Sequence, residues 1–373
     1  MATKLAKIHF LATMGDTSSE KKHLGSNAIL IQDYKDGNYV YGMVDVGFYN
    51  PGNASDEHYD SKLLVNYLKS QKINTLEFIL ITHFHGDHFG NLRYLLRNYK
   101  EAGITIKNVI LPMNRAKAEK LKNKLNTDDY NNLVNYSGKK SRPEVIEDDI
   151  AYYRKNFYSG IKLYYFGVNP TADIRKVCNI GEGTFTFYNT NGESTQYKEL
   201  PAGASVYPNS WDGTVDKFSI VTVYEFQGRK LLIPADIYEL SEKILKDRLA
   251  GDYDIIQMSH HGSSHGSCQE FIDAIVPTNK ECAVIQLRSD NGGTGAIQRY
   301  EALNNIAGHG FVRVYGTHQN FEQEWGNSEP SNRGSIVVTI KDGEISYHSR
   351  RLYSDNTYKQ KLLHATEANN ITI

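Results

Sequence analysis

A chain of 373 residues, 40% of them hydrophobic, is long enough to bury a sizeable core as one large α/β domain or two smaller ones. A formal net charge of -1 excludes the global basic footprint of a dedicated nucleic-acid binder, so any phosphate recognition has to be local. Three widely spaced cysteines, Cys178, Cys268 and Cys282, form no CxxC pattern, which argues against a disulfide framework and fits a reducing compartment.

The N-terminal apolar patch is too short for a signal-peptide core, and no window approaches the roughly 20 apolar residues of a membrane span. The expectation is a soluble, cytoplasmic protein. Residues 6–47 alternate like antiparallel strands, at Ile8–Leu11, Ala28–Gln32 and Tyr39–Val44, with turn chemistry at 35–38. Asp45 closes the third strand before Gly47, either as a turn former or as a group that orients a metal-bound histidine. A loop follows over 48–60, then a helix over Ser61–Ser70 with Leu63, Leu64, Tyr67 and Leu68 inward.

Phe78–Thr82 is an apolar, β-branched run of the kind that forms a strand buried on both faces. It stops at His83, His85, Asp87 and His88, and leucines at helical spacing predict a helix over Leu92–Tyr99. A strand over Asn108–Leu111 ends at Pro112. From about 114 to 160 the chain turns polar and helical, and its part from Asn114 to Arg142 carries Arg115, Lys117, Lys120, Lys122, Lys124, Lys139, Lys140 and Arg142 against Glu119, Asp128 and Asp129, a local basic excess. A solvated helical face explains that excess, and so does a cap that attracts an anionic substrate.

A second β-rich half runs from Ile161 through Phe185–Tyr188, Ser219–Phe226 and Lys230–Pro234, the last closed by Asp236. A helix over Leu240–Leu249 and a buried strand over Tyr253–Met258 lead into a Gly/Ser-rich turn holding His260, His261 and His265. Strands at Ala283–Leu287, Phe311–Tyr315 and Ser335–Ile340, a helix at Ile297–Ile306 and a hairpin turn at 341–343 complete the chain. Two halves, each β-rich and then helical, predict two sheets packed face to face with helices outside.

Imidazoles and carboxylates gathered at strand ends are divalent-metal ligands. His83, His85, Asp87, His88, Asp236 and one or both of His260 and His261 exceed what one four-coordinate ion can use. Two ions would use them, His83 and His85 on one and Asp87, His88 and His261 on the other. Asp236 would span both, and a bridging hydroxide would serve as nucleophile.

THFHGDH at 82–88 resembles the HxHxDH signature of the metallo-β-lactamase superfamily. The resemblance extends to VDVG at 44–47, GRKLLIPAD at 228–236, MSHHGSSHGS at 258–267, VYGTHQN at 314–320 and RGSIVVTIKDGEI at 333–345. Within that superfamily these elements are most similar to the metallo-hydrolase domain of the ComEC competence protein and to phosphorylcholine esterase. The resemblance implies a single domain over 1–373 with the αββα four-layer sandwich fold and two divalent ions, Zn2+ first and Mn2+ second. It makes His261 the metal ligand of its pair, puts His260 and His265 beside a substrate phosphate, and leaves Asp87 in the catalytic set. Many members supply a further histidine from the loop that here reads Trp211 to Lys217, where either a carboxylate such as Asp216 serves instead or the first ion is weakly held.

The function so implied is that of a metal-dependent phosphodiesterase or nuclease. Its substrate would be anionic and phosphorylated: a nucleic acid, a nucleotide or a phosphorylcholine-like compound. Hydrolysis of a lactone, thioester or lactam is the alternative within enzymes. An inactive binding or regulatory module is the alternative of another class, and retention of the ligand residues weighs against it, because buried carboxylates are costly without a partner.

Overall fold

The computed structural model describes residues 2–11, 27–47, 59–116, 142–166, 180–188, 215–262, 266–276, 283–286, 313–316 and 336–348. Strands β1 (Leu5–Phe10), β2 (Ala28–Lys35) and β3 (Asn38–Val46) form an antiparallel meander. Helix α1 (Tyr59–Ser70) leads to β4 (Thr75–Leu76) and β5 (Phe78–Leu80), and β5 pairs parallel with β3. Helices α2 (Gly86–Arg97) and α3 (Tyr99–Ala102) precede β6 (Thr105–Ile106) and β7 (Asn108–Leu111), and helix α4 (Arg142–Asn156) precedes β8 (Lys162–Tyr165).

A second sheet collects β9 (Thr184–Tyr188), β10 (Val221–Phe226), β11 (Arg229–Ile233), β12 (Ile255–Gln257), β13 (Ala283–Gln286) and β14 (Arg313–Gly316). Helices α5 (Glu239–Leu249) and α6 (Gln269–Ile275) flank β12 in the chain. The hairpin β15 (Ile336–Lys341) and β16 (Glu344–His348) returns to the first sheet, where β15 pairs antiparallel with β1. That sheet runs β16-β15-β1-β2-β3-β5-β7-β8, and the second runs β14-β13-β12-β11-β10-β9.

Three hydrophobic cores separate the layers. Alternation sends Ile8, Phe10, Ile29, Ile31, Phe78 and Leu80 between the sheets, to meet Phe185, Tyr224, Phe226, Leu231, Ile233 and Ile255. Leu30, Met43, Ile79 and Ile81 take the opposite face and pack beneath α1 to α4. Leu232, Ile256 and Met258 pack beneath α5 and α6. The architecture is therefore the four-layer αββα sandwich of the metallo-β-lactamase fold, and β5 is buried on both faces as its unbroken apolar run requires. Gly42 on β3 leaves room for the Phe78 ring of the paired strand β5, because a Cβ there would lie 2.2 Å from Phe78 Cε1.

Several sequence expectations are corrected. The strand after Ile161 is an edge strand of the first sheet, not the start of the second, and the final hairpin also joins the first sheet. Helix α2 begins at Gly86 rather than Leu92, because its first turn is spent on site residues and carries no apolar period. The α6 helix was not foreseen, being only seven residues long. The predicted helix at 297–306 and most of the basic insertion lie outside the described residues; the described part of the insertion includes α4. Among the described residues, no helix is long and apolar enough to cross a membrane.

His9 lies on the helix-facing side of β1, buried, with its Nδ1 2.6 Å from the Tyr67 hydroxyl. Burial, reinforced by the Lys7 ammonium, pushes its imidazole from 6.5 down to about 4. The folded chain keeps His9 neutral while the unfolded chain takes up a proton below about pH 6.5, so stability is complete above that pH and is lost as pH falls toward 4. The loss at pH 4 should be roughly 3 kcal/mol, from about 1.4 kcal/mol per pH unit. Urea midpoints of the wild type and His9→Gln across this range measure it, and an equally steep decline in both would refute the assignment to His9.

Candidate metal centre

The site forms where parallel strands end. β3 and β5 in the first sheet, and β11 and β12 in the second, all release their chains at the same edge of the sandwich, where an α/β fold opens its crevice. Asp45 is the penultimate residue of β3, His83 follows β5, Asp236 follows β11 and His261 follows β12. Asp87 and His88 sit in the first turn of α2, with backbone bonds from Asn27 N–H to Asp87 O at 2.9 Å and from Gly47 N–H to His88 O at 3.2 Å.

The side chains form two overlapping groups: His83, His85, Asp216 and Asp236, and Asp87, His88, Asp236 and His261, with all donor atoms in each group within 4.8 Å of one another. In the first, Asp216 Oδ1 lies 3.1 Å from His83 Nε2 and 2.9 Å from His85 Nδ1. In the second, Asp236 Oδ2 lies 3.2 Å from both His88 Nε2 and His261 Nε2, which are themselves 3.3 Å apart, and Asp87 Oδ2 is 3.1 Å from His261 Nε2. The same Asp236 oxygen is 3.8 Å from His83 Nε2, which joins the groups through one atom.

These spacings fit metal ions. Bonds of about 2.0–2.1 Å in a tetrahedron set neighbouring donors about 3.3 Å apart. His83 Nε2, Asp216 Oδ1 and Asp236 Oδ1 are sealed from solvent without a hydrogen bond, an arrangement that is costly unless something else is coordinated.

A buried network fixes the histidines. Asp45, fully buried, accepts from His88 Nδ1–H at 2.6 Å, from the Thr82 hydroxyl at 2.7 Å, from Thr82 N–H at 2.8 Å and from Asn27 Nδ2 at 3.3 Å. Donation from Nδ1 turns the Nε2 lone pair of His88 toward the other donors. Asn27 in turn accepts from Gln257 Nε2 at 3.1 Å, which ties the end of β12 to the end of β3.

The second turn is pinned as firmly. Asp45, Ala235, His260 and His261 all hold left-handed backbone, with φ of 56°, 55°, 45° and 55°. Such conformations cost about 1 kcal/mol or more each in non-glycine residues and persist only where the surroundings over-determine them. His260 N–H donates to Ala235 O at 2.9 Å. Glu242, buried on α5, accepts from Ser267 N–H at 2.6 Å and Cys268 N–H at 2.9 Å, closing the turn from its far side. Gly266 must be glycine, since a Cβ would meet Ser259 Cβ at 2.7 Å.

Charge follows the geometry. For His261 burial opposes protonation, but the Asp236 and Asp87 carboxylates outweigh it and hold the imidazole up at about 9. For Asp236 burial is likewise outweighed, by His261 and His88, and its carboxyl stays well below the usual range. Burial pushes His260 down to about 4, only partly offset by Asp236, so it is neutral at physiological pH.

The structure thus brings His83, His85, Asp87, His88, Asp236 and His261 together and adds Asp216 to them. His260 stands at the rim, its Nε2 3.9 Å from Asp236 Oδ2. His265 lies outside the described residues. Sequence reasoning missed Asn27, Gln257, Tyr238 and Glu242, whose side chains act on other polar groups and carry no motif spacing of their own.

Residues 22–158 match the family profile described as the Metallo-beta-lactamase superfamily. Among solved structures the chain is similar to the metallo-beta-lactamase fold protein YhfI from Bacillus subtilis, at 13% identity and a TM-score of 0.42 over 90% of this chain and 99% of that one. It is similar to a diphosphatase from the PhnP family, at 13% identity and a TM-score of 0.33 over 88% and 93% of the two chains. It is also similar to yeast PDE1, at 12% identity and a TM-score of 0.36 over 99% and 96%. No curated protein sequence matches the chain.

Proposed function

This chain carries a metallo-β-lactamase superfamily domain, and from that premise we propose that it is a hydrolase dependent on two divalent ions, acting on a phosphodiester. The observation that carries the reading is the shared Asp236 Oδ2, common to two groups that together offer His83, His85, His88, His261, Asp87, Asp216 and Asp236. Zn2+ suits such a mixed imidazole and carboxylate set, and Mn2+ is the second candidate. When bound, the ions would supply an acidified water and positive charge against an anionic transition state.

The chain's own residues would do the rest. Asp45 holds the His88 proton on Nδ1, which keeps Nε2 available as a ligand. Asp236 and Asp87, kept ionised by the facing imidazoles, present oxygen to both groups or to the second alone. His260, neutral and locked in a left-handed conformation, would hold a leaving oxygen by a hydrogen bond, and His265 is proposed beside it.

Two features support an anionic, phosphorylated substrate. One is the basic excess between Arg115 and Arg142. The other is where that segment ends: the Arg142 side chain donates to Phe84 O between His83 and His85 and lies over the Phe89 ring at 5.1 Å, which seats the end of the basic stretch beside the site. The insertion thereby begins its last helix against the ligand turn. The similarity of MSHHGSSHGS to the ComEC-like and phosphorylcholine esterase branch supports the same class.

Protein loaded with Zn2+ or Mn2+ should cleave bis(p-nitrophenyl) phosphate and leave p-nitrophenyl acetate and simple lactones almost untouched. Chelation should stop turnover, and Asp87→Ala should lower it at least about 100-fold. Preference for the carboxylic esters would replace the phosphodiester reading by the carbonyl one. Undiminished activity in Asp87→Ala would remove the metal assignment.

A further inference from the structure

Asp216 stands in a short 3-10 turn, Val215–Phe218, closed by Ser219 N–H donating to its own carbonyl at 2.8 Å. Its carboxylate is 1% exposed. Oδ1 faces His83 and His85, while Oδ2 accepts the Tyr238 hydroxyl at 2.5 Å. Tyr238 lies two residues after Asp236, at the N-cap of α5, and its ring stands edge-on to His260 with centroids 4.7 Å apart. One tyrosine therefore touches a residue of the first group, follows a residue of both, and packs on the histidine at the rim.

A carboxylate with two free oxygens can chelate, rotate or swing between partners. A short charge-assisted bond to one oxygen removes those options and leaves the other as a single fixed donor. His83 Nε2 and Asp216 Oδ1 approach within 3.1 Å without the alignment of a hydrogen bond, which is how two ligands of one ion stand. We infer that Tyr238 is a positioning residue: its hydroxyl holds Asp216 in the one orientation that completes the first metal group, standing in for the self-orienting ring of a histidine. The inference rests on the two-ion reading above and concerns only the group built on His83 and His85.

The test is a calorimetric titration of chelator-stripped, full-length protein with Zn2+ alone. The wild type should take up two ions per chain. Tyr238→Phe keeps the ring against His260 and removes only the donor, so it should retain one ion at wild-type affinity and bind the other about 10–100-fold more weakly. Tyr238→Phe titrating like the wild type would overturn the inference while leaving the two-ion reading intact. A wild type that binds fewer than two ions would overturn both. If Tyr238→Phe does not fold, as judged by circular dichroism, Asp216→Asn decides. Its amide oxygen can still accept from Tyr238, so it should weaken the same single ion, and an unchanged two-ion titration of that variant would equally overturn the inference. A purely structural tyrosine would shift the melting temperature without singling out one ion of the two.

Discussion

Asp236→Ala should bring phosphodiester hydrolysis down by at least about 10^3-fold and leave less than one metal ion on each chain. The expectation follows from a single atom. Asp236 Oδ2 lies 3.2 Å from His88 Nε2, 3.2 Å from His261 Nε2 and 3.8 Å from His83 Nε2, so truncation strips a donor from both groups at once. Asp236→Asn preserves shape and one neutral oxygen, and should fall between the wild type and the alanine variant. Metal content by plasma emission and kcat/KM on bis(p-nitrophenyl) phosphate measure the two effects separately. An alanine variant holding two ions would show that the groups do not depend on the shared oxygen.

The second large effect is expected on stability rather than turnover. Asp45→Ala should lower unfolding free energy by about 3–5 kcal/mol, the usual cost of breaking a buried charged pair, visible as a lower urea midpoint in protein stripped of metal. Asp45 is fully buried and serves four donors at the end of β3: Thr82 N–H, Thr82 Oγ1, His88 Nδ1 and Asn27 Nδ2. Truncation strands all of them where water does not reach. Asp45→Asn should cost less, because its amide oxygen still accepts one donor, but its NH2 would face the others. The alanine variant should also bind metal about 10–100-fold more weakly, since nothing then fixes the His88 tautomer. A midpoint unchanged from wild type would mean that this carboxylate is not the keystone of the strand end.

What the amino-acid order revealed, and what it hid, has a physical pattern. Apolar runs that stop at histidines and aspartates are visible because burial and coordination each restrict residue type, so β5, β11 and β12 and their ligands could be read directly. The acid that stands in for a further histidine, Asp216, was legible only as the nearest carboxylate in the right loop. Backbone conformation was not legible at His260 and His261, whose positive φ goes with a bond from His260 N–H to the distant Ala235 carbonyl rather than with their own propensities. Asn27 and Gln257 were hidden for a similar reason, since they meet across the two sheets and are 230 positions apart in the chain. Membership of strands was harder still, because β8 stays in the sheet of β7 while β9 after it does not, and the closing hairpin returns to that first sheet although β14 before it lies in the second.

The pairing of β15 with β1 has a bearing on how the protein is made. During synthesis the earliest strand waits beside β2 with one flank open, and its other neighbour emerges only after His261 and everything that precedes it. A ribosome-tethered chain halted after α6 would already own every donor of the proposed pocket, yet the sheet beneath four of those seven residues would lack two of its eight described strands. Zinc uptake and protease resistance should therefore arrive together and late, when the closing hairpin docks, and not stepwise as each histidine leaves the exit tunnel.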